Sequence, residues 1–280
     1  MTTNSSSPSP PPHSDQLIVS FPAEHVMLLT MNRPKSLNAM SPQMAKDLQV
    51  VLGWFNEEPS LWVVIVTGAG RAFCAGMDLI AWNKDQQSGQ KNEQTRVMPH
   101  GFGSLSRREI TKPIIAAVNG GAYGGGTEIV LNCDLVVAGE DAKFGLPEVK
   151  RGVYAGAGGI PRLAHIAGHQ LASEMLLLGN PISAKDAYSR FGFVNRVVPV
   201  SDVVSTAVDL AKDICANSPD SVQTTKLGLL FAQKYDHDRA YRETVWAPET
   251  TRLYHGENIK EGLQSFTEKR APTWKNPAKL

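Results

Sequence analysis

Apolar runs separated by polar turns dominate the first half of the chain. Residues 61–67 and 113–120 are apolar almost throughout, which predicts strands buried on both faces. Residues 26–32 and 134–139 are predicted as two further strands, and we expect a helix just before the last of them. Strands that alternate with helices in this order predict an α/β core built from crossover units.

Residues 41–58 show the clearest helical periodicity. Ser41 is a good N-cap, and Pro42 suits the first helical position, where a backbone N–H would have no intrahelical partner. Five apolar residues fall on one face of this helix: Met44, Leu48, Val51, Leu52 and Phe55. We predict that this face packs against the core.

The two ends of the chain differ from this core. Helical patterns at residues 203–216, 222–235 and 259–269 predict a mostly helical C-terminal part. The first residues are polar and proline-rich, which is typical of disorder. We therefore predict three regions: a disordered tail at residues 1–15, an α/β core at 16–200 and a C-terminal helical region at 201–280.

Composition restricts the classes of partner. Hydrophobic residues make up 42% of the chain, charged residues 20%, and the formal net charge is +1, so no nucleic-acid partner is expected. No apolar run reaches the ~20 residues that span a bilayer, and the N-terminus lacks a secretory signal pattern. The cysteines, at 74, 133 and 215, are too far apart to predict a disulfide framework or a metal site.

The stretch GGAYGGGTEIVLNCD, residues 120–134, places one carboxylate after five glycines. It resembles a P-loop but has glycine in place of the phosphate-binding lysine, which argues against an NTPase. The turn at residues 68–70 lacks the third glycine of a dinucleotide-binding motif. Two interpretations remain: the glycines expose the N–H groups of a helix start to an oxygen atom, or they only permit tight packing.

Two glutamates are candidates for acid–base chemistry. Glu128 follows Gly125 by about one helical turn, and its apolar neighbours predict burial and a raised pKa. The alternative is a carboxylate that only neutralises the helix dipole. Glu148 follows Pro147 and precedes another glycine-rich turn; by itself it is expected to be a surface residue.

Four segments, taken together, resemble the crotonase family of enoyl-CoA hydratases and isomerases. They are NRPKSLNAM at 32–40, GRAFCAGMDL at 70–79, KPIIAAVNGGAYGGGTEIVLNCDLVVAGEDAKFGLPE at 112–148 and GAGGIPRL at 156–163, with a weaker match, EGLQSFTEKR, at 261–270. The resemblance implies a right-handed spiral of ββα units with a C-terminal helical region that assembles trimers, often paired as hexamers.

The resemblance also implies a set of site residues. The backbone N–H groups of Met77 and Gly125 would form an oxyanion hole for a thioester carbonyl, and Glu128 and Glu148 would be the catalytic pair. Met77 is larger than the residue usual there, which would narrow the acyl pocket. The implied CoA-binding residues are Arg33, Lys35, Ala75, Asp78, Leu79, Phe266 and Lys269. No metal is implied, and no cofactor, because CoA enters as part of the substrate.

The implied activity is that of an enoyl-CoA hydratase, which adds water reversibly and syn to a 2-enoyl-CoA. The alternatives are a Δ3,Δ2-enoyl-CoA isomerase, a hydratase or dehydratase of a branched acyl-CoA in secondary metabolism, and a silent acyl-CoA-binding protein. Residues 83–98 and those around Tyr154 are expected to shape the acyl pocket. The final tripeptide, residues 278–280 (AKL), resembles a peroxisomal address read by the import receptor. We expect a peroxisomal protein, with the cytosol as the alternative.

Overall fold

The computed structural model describes residues 8–87 and 99–277, and within them two sheets form the core. The ten strands are β1 (Leu17–Ala23), β2 (Val26–Met31), β3 (Val63–Gly68), β4 (Ala72–Cys74), β5 (Ile114–Val118), β6 (Gly121–Tyr123), β7 (Leu135–Gly139), β8 (Lys143–Gly145), β9 (Ile182–Ser183) and β10 (Arg196–Val198). The larger sheet has the order β1-β2-β3-β5-β7-β10, and the smaller one β4-β6-β8-β9. The predicted α/β class is confirmed.

The larger sheet contains all four strands expected from the apolar runs. Every residue of β3 and of β5 is buried, as their continuous apolar sequences predict. In this sheet, the neighbouring strands β2, β3, β5, β7 and β10 pair in parallel, while β1 pairs antiparallel with β2. Parallel neighbours require crossover connections, and these carry the short strands of the smaller sheet and the helices.

Eleven α-helices lie within the described residues. They are α1 (Pro42–Glu57), α2 (Leu79–Gln87), α3 (Gly125–Asn132), α4 (Gly159–Ala167), α5 (His169–Leu178), α6 (Ala184–Ser189), α7 (Val203–Cys215), α8 (Pro219–Ala232), α9 (His237–Val245), α10 (Pro248–His255) and α11 (Glu257–Glu268). The prediction for α1 is confirmed: the Ser41 hydroxyl accepts a hydrogen bond from the Met44 N–H, and the five predicted apolar residues are buried. The helix predicted at 222–235 instead begins at Pro219, after the N-cap Ser218.

Ion pairs attach the C-terminal helices to one another and to the sheet. The Lys226 ammonium on α8 lies 2.8 Å from the Asp134 carboxylate and donates a hydrogen bond to the Lys112 carbonyl. The Asp220 carboxylate on the same helix pairs with Arg252 at 2.9 Å and accepts a hydrogen bond from the Asn258 amide. These contacts hold α8, α10 and α11 in one arrangement beside the core.

The predicted three-region division stays a prediction. Residues 1–7 of the expected tail lie outside the described residues, whereas Ser14 donates a hydrogen bond to the Asp47 carboxylate on α1. The tripeptide 278–280 and most of the predicted pocket segment 83–98 also lie outside them. Among the helices of the described ranges, none is both long and apolar enough to cross a bilayer.

Candidate active site

Three adjacent strands of the smaller sheet end at one point. β4 pairs in parallel with β6, and β6 with β8. Met77 follows the end of β4, Gly125 follows β6 and Glu148 follows β8. Parallel strands place their carboxyl ends at the same edge of a sheet, so residues separated by more than seventy positions become neighbours.

The turn after β4 brings Gly76, the residue before Met77, close to Gly125. Gly76 has a φ of +90°, which favours glycine, and a Cβ at this position would lie 2.8 Å from the Tyr123 carbonyl oxygen and 3.6 Å from the Gly125 nitrogen. The Met40 N–H donates to the Gly76 carbonyl at 2.8 Å and holds the turn in place. Gly76 therefore permits the close approach of the two predicted oxyanion-hole segments.

The glycines at the start of α3 are packed tightly, and Gly125 also has an N–H group without an intrahelical acceptor. Gly125 is the first residue of α3, so its N–H has no intrahelical acceptor and lies at the positive end of the helix dipole. A Cβ on Gly125 would lie 2.3 Å from the Phe102 ring, and one on Gly126 would lie 2.3 Å from the Cys74 carbonyl oxygen. Tight packing and an available N–H group thus coexist.

Buried hydrogen bonds fix α3 against the strand ends. The Thr127 hydroxyl donates to the Ala122 carbonyl of β6 at 2.7 Å and also lies 2.9 Å from the Gly145 carbonyl oxygen of β8. The Gly124 N–H donates to the same Gly145 carbonyl at 2.8 Å. Because these groups are buried, the position of the helix start relative to β6 and β8 is strongly determined.

Glu128 lies on α3 and is 3% exposed. Its Oε1 accepts hydrogen bonds from the Ala157 N–H at 2.8 Å and the Gly159 N–H at 2.9 Å. Burial raises the pKa of this carboxyl, while the two N–H groups and the positive charge of Arg162 lower it. The expected burial and the direction of the expected pKa shift are both present.

Glu148 is the first residue of a short 3-10 helix, Glu148–Arg151. Burial raises the pKa of its carboxyl to about 7, and repulsion from Glu128 adds to this, against a backbone hydrogen bond at Glu148 itself. Its Oε2 is buried and has no hydrogen-bond partner among the described residues. The expectation of a surface residue, drawn from the local sequence alone, is wrong because the carboxylate lies against Gly124 and lines an internal cavity.

One cavity of about 360 Å³ contains both carboxylates, and we name it the glutamate cavity. Met77, Gly125, Glu128 and Glu148 all line it. Its walls are mostly apolar and include Leu79, Trp82, Phe102 and Val153. The arrangement places two weakly acidic groups of raised pKa next to two backbone segments that can donate to an oxygen atom, which is suited to moving protons beside a polarised carbonyl.

Several residues of the glutamate cavity were not singled out from the sequence. Trp82, Phe102 and Arg151 belong to segments without a recognised motif, so no local signal marked them. Tyr154, which was expected near the pocket, also lines it. Within the described residues no group of three or more His, Cys, Asp and Glu side chains could hold a metal ion.

The predicted CoA-binding residues occupy different surroundings. Ala75 and Leu79 line the glutamate cavity. The Arg33 guanidinium lies 3.5 Å from the Asp78 carboxylate, and the exposed Lys35 follows it in a 3-10 turn. These residues belong to two segments, 33–40 and 75–79, which the Met40–Gly76 hydrogen bond connects.

The two predicted CoA residues of the C-terminal region lie at the end of α11, with Phe266 in the helix and Lys269 as its C-cap. Phe266 is 86% exposed, and Lys269 ends the helix with a φ of +53°. Neither is among the described residues that line the glutamate cavity. A role for them in binding CoA stays a prediction.

Comparisons with known proteins agree along almost the whole chain. The family model described as enoyl-CoA hydratase/isomerase matches residues 22–277. A mevalonyl-coenzyme A hydratase of Aspergillus fumigatus is 45% identical over 263 residues, covering 94% of this chain and 96% of that protein. One from Beauveria bassiana is 44% identical, covering 95% of this chain and 97% of that protein.

A solved structure confirms the crotonase-type fold that the sequence motifs implied. The crystal structure of a probable enoyl-CoA hydratase/isomerase from Mycobacterium abscessus is 40% identical, with a TM-score of 0.83, and covers 94% of this chain and 99% of that one. The two relatives described above are named as hydratases, which are hydro-lyases, in agreement with the predicted enzyme class. The chain belongs to the enoyl-CoA hydratase/isomerase family.

Proposed function

We propose that this protein catalyses the reversible syn addition of water across the C2–C3 double bond of a 2-enoyl-CoA. The observation that carries the proposal is the presence of Glu128 and Glu148 in one apolar cavity beside Met77 and Gly125. A single base is enough to move a double bond, whereas adding water requires a group that takes a proton from water and one that supplies a proton to carbon.

In the hydration direction, the Met77 and Gly125 N–H groups donate to the thioester oxygen and stabilise the negative charge that develops there. A contribution of roughly 3–4 kcal/mol per donor is typical of such sites. Glu128 accepts a proton from water as the water oxygen bonds to C3, and Glu148 gives its proton to C2. The glutamate pair takes one proton from water and gives one proton to C2, so the enzyme gains or loses no proton overall.

The assignment of Glu148 as the proton donor is supported by its environment. Its pKa lies near 7 because the carboxyl is buried without a hydrogen-bonded cation. Glu128 is buried too, but two N–H groups and Arg162 favour its charged form. Two carboxyls that share one site titrate as a pair, so the functional state is the one that holds a single proton.

For the substrate, we propose a branched, hydroxylated acyl-CoA. Two relatives that match at 44–45% identity over nearly the whole chain are named mevalonyl-coenzyme A hydratases. Mevalonyl-CoA carries hydroxyls on C3 and C5, and loss of water across C2–C3 leaves a conjugated enoyl thioester with the C5 hydroxyl intact. The same two glutamates act in reverse: Glu148 takes the C2 proton, and Glu128 protonates the departing C3 hydroxyl.

The test is to incubate the purified protein with mevalonyl-CoA and record the ultraviolet absorbance of the conjugated thioester. The absorbance should rise and the product should have lost one water by mass spectrometry; crotonyl-CoA should lose absorbance as it is hydrated. A 3-enoyl-CoA tests isomerisation, and turnover of this substrate alone would replace the proposed activity with that of an isomerase. Binding of all these thioesters without turnover would favour the silent acyl-CoA-binding alternative.

We also propose that the protein assembles as a trimer or a dimer of trimers. The C-terminal helical region exposes large aromatic side chains: Trp246 is 83% and Phe266 86% exposed. Large apolar side chains that remain exposed are candidates for burial in a protein interface. Light scattering on the purified protein measures the number of subunits in the assembly. A separate measurement tests the predicted CoA contact: weaker CoA binding by a Phe266→Ala variant would support it.

The proposed location is the peroxisome, with import through residues 278–280. This tripeptide lies outside the described residues. A fluorescent fusion that keeps the natural C-terminus should enter peroxisomes, and one lacking the last three residues should stay in the cytosol. A cytosolic signal from both fusions would establish the alternative location.

A further inference from the structure

The glutamate cavity contains one basic side chain among the described residues that line it, Arg151. The mechanism proposed above does not use it. Its guanidinium is exposed, donates to the Lys150 carbonyl at 3.2 Å and forms no salt bridge with a carboxylate of the described residues. A guanidinium has five N–H donors, so most of its hydrogen-bonding capacity remains available to a substrate.

The backbone places Arg151 one helical turn from Glu148. Glu148 and Arg151 are the first and last residues of one 3-10 helix. Residues three apart in such a helix lie on the same side, and their Cα atoms are about 6 Å apart. Arg151 therefore lies one turn from the carboxyl that exchanges a proton with C2, at a distance that a substituent two carbons beyond C3 can span.

Tyr154, three residues after Arg151 in the chain, adds a second polar side chain to the lining of the cavity. Its ring lies over Gly156, where a Cβ would be 2.9 Å from Cε2 and 3.3 Å from the phenolic oxygen. The residue is 68% exposed and lines the cavity. The walls formed by Leu79, Phe102 and Val153 are apolar, so few described lining side chains besides the glutamates, Arg151 and Tyr154 can bind an oxygen atom.

We infer that Arg151, together with the Tyr154 hydroxyl, binds an oxygen substituent at the far end of the acyl group and thereby determines substrate selectivity. The inference rests on the proposed function, because the substituent is the C5 oxygen of the branched acyl group. A site built to hydrogen-bond an oxygen discriminates strongly against an analogue that lacks it, since its donors are then left without an acceptor.

The experiment compares mevalonyl-CoA with 3-hydroxy-3-methylpentanoyl-CoA, which differs only by lacking the C5 oxygen. Wild type should prefer mevalonyl-CoA in kcat/KM. Arg151→Met should reduce this preference by about 10- to 100-fold, and Tyr154→Phe by about 3- to 10-fold. Lys150→Met is the matched control, because Lys150 is the adjacent basic residue, bonds to Asn180 and does not line the cavity.

The outcomes separate this inference from the proposed function. An unchanged preference in Arg151→Met overturns the inference while leaving the hydratase intact. An equal loss with both thioesters also overturns it, because Arg151 then contacts CoA or supports the fold. If wild type dehydrates neither thioester and does not hydrate crotonyl-CoA, the proposed function fails and the inference fails with it. A further substrate, 3-hydroxy-3-methylglutaryl-CoA, carries a carboxylate at C5. If Arg151→Met lowers turnover of this thioester more than turnover of mevalonyl-CoA, Arg151 does bind the C5 substituent. The preferred substrate is then the thioester with the C5 carboxylate.

Discussion

The Gly159 N–H donates a hydrogen bond to Glu128 Oε1 at 2.9 Å, and a Cβ on Gly159 would lie 2.9 Å from Glu128 Cγ. The glycine thus orients the carboxylate and leaves the space that it occupies. Gly159→Ala should displace Glu128 and lower kcat by about 10- to 100-fold, because small misplacements of a catalytic group are costly. Steady-state kinetics checks this. Gly53→Ala, on α1 with open space around it, is the control and should retain full activity.

Neutral replacement of either glutamate should nearly abolish turnover. Glu128→Gln and Glu148→Gln each keep the shape of the side chain but cannot exchange the proton, so kcat should fall by at least about 10²-fold with little change in KM. The exposed Glu140→Gln provides a control of the same chemistry outside the cavity. Near-normal turnover by either of the first two variants would contradict the two-glutamate mechanism.

The pH dependence should be bell-shaped, because the reaction needs one proton on the glutamate pair. Above the pKa of about 7 at Glu148 that proton is lost, so kcat/KM should fall as the pH rises through 7. Hydration consumes no net proton, so hydration and dehydration should show the same alkaline limb. Measuring kcat/KM in both directions between pH 5 and about 9 checks this; a flat profile through pH 7 would argue against a shared proton.

Glu148 should also reduce stability at alkaline pH. Its pKa is higher in the folded protein than in the unfolded chain, so its favourable contribution is complete below the unfolded value and is lost as the pH rises through about 7. At pH 8, Glu148→Gln should increase the free energy of unfolding by about 1–2 kcal/mol, after allowance for partial solvent screening. Urea unfolding at pH 5 and pH 8 measures this, and an equal effect at both values would show another cause.

Arg162 should adjust the proton affinity of Glu128 without touching the substrate. Its positive charge lowers the pKa of the Glu128 carboxyl, so Arg162→Met should raise that pKa. The acid limb of the kcat/KM profile should then move to higher pH, because a nearby positive charge favours the ionised carboxyl. An unshifted acid limb together with reduced stability would indicate a purely structural role.

Secondary-structure elements could be predicted from the sequence where their hydrophobic pattern extends over enough residues. The five apolar positions of α1 and the continuous runs of β3 and β5 span enough residues to reveal their periodicity, and the structure has these elements with small changes at the ends. The strands of the smaller sheet have two or three residues each, too few for a period to be recognised. Their pairing depends on contacts between distant segments.

The same limit applied to the candidate site. Glu128 was predicted to be buried from its own neighbours, whereas the burial of Glu148 comes from residues more than twenty positions away and could not be read locally. The resemblance to the family motifs had already indicated that Glu128 and Glu148 lie in one site. Phe102 and Arg151 had neither a local pattern nor a motif, although both line the cavity.

Because β4, β6 and β8 end at one edge of the smaller sheet, different segments of the chain supply different groups of the candidate site. The groups that we propose to polarise the carbonyl follow β4 and β6, while Glu148 and Arg151 follow β8. On this proposal, substitutions in the segment after β8 change which proton moves, or which acyl group is accepted, without altering the backbone proposed to activate the thioester. A designer seeking a new reaction on this scaffold would vary residues 148–154 and keep the first two strand ends unchanged.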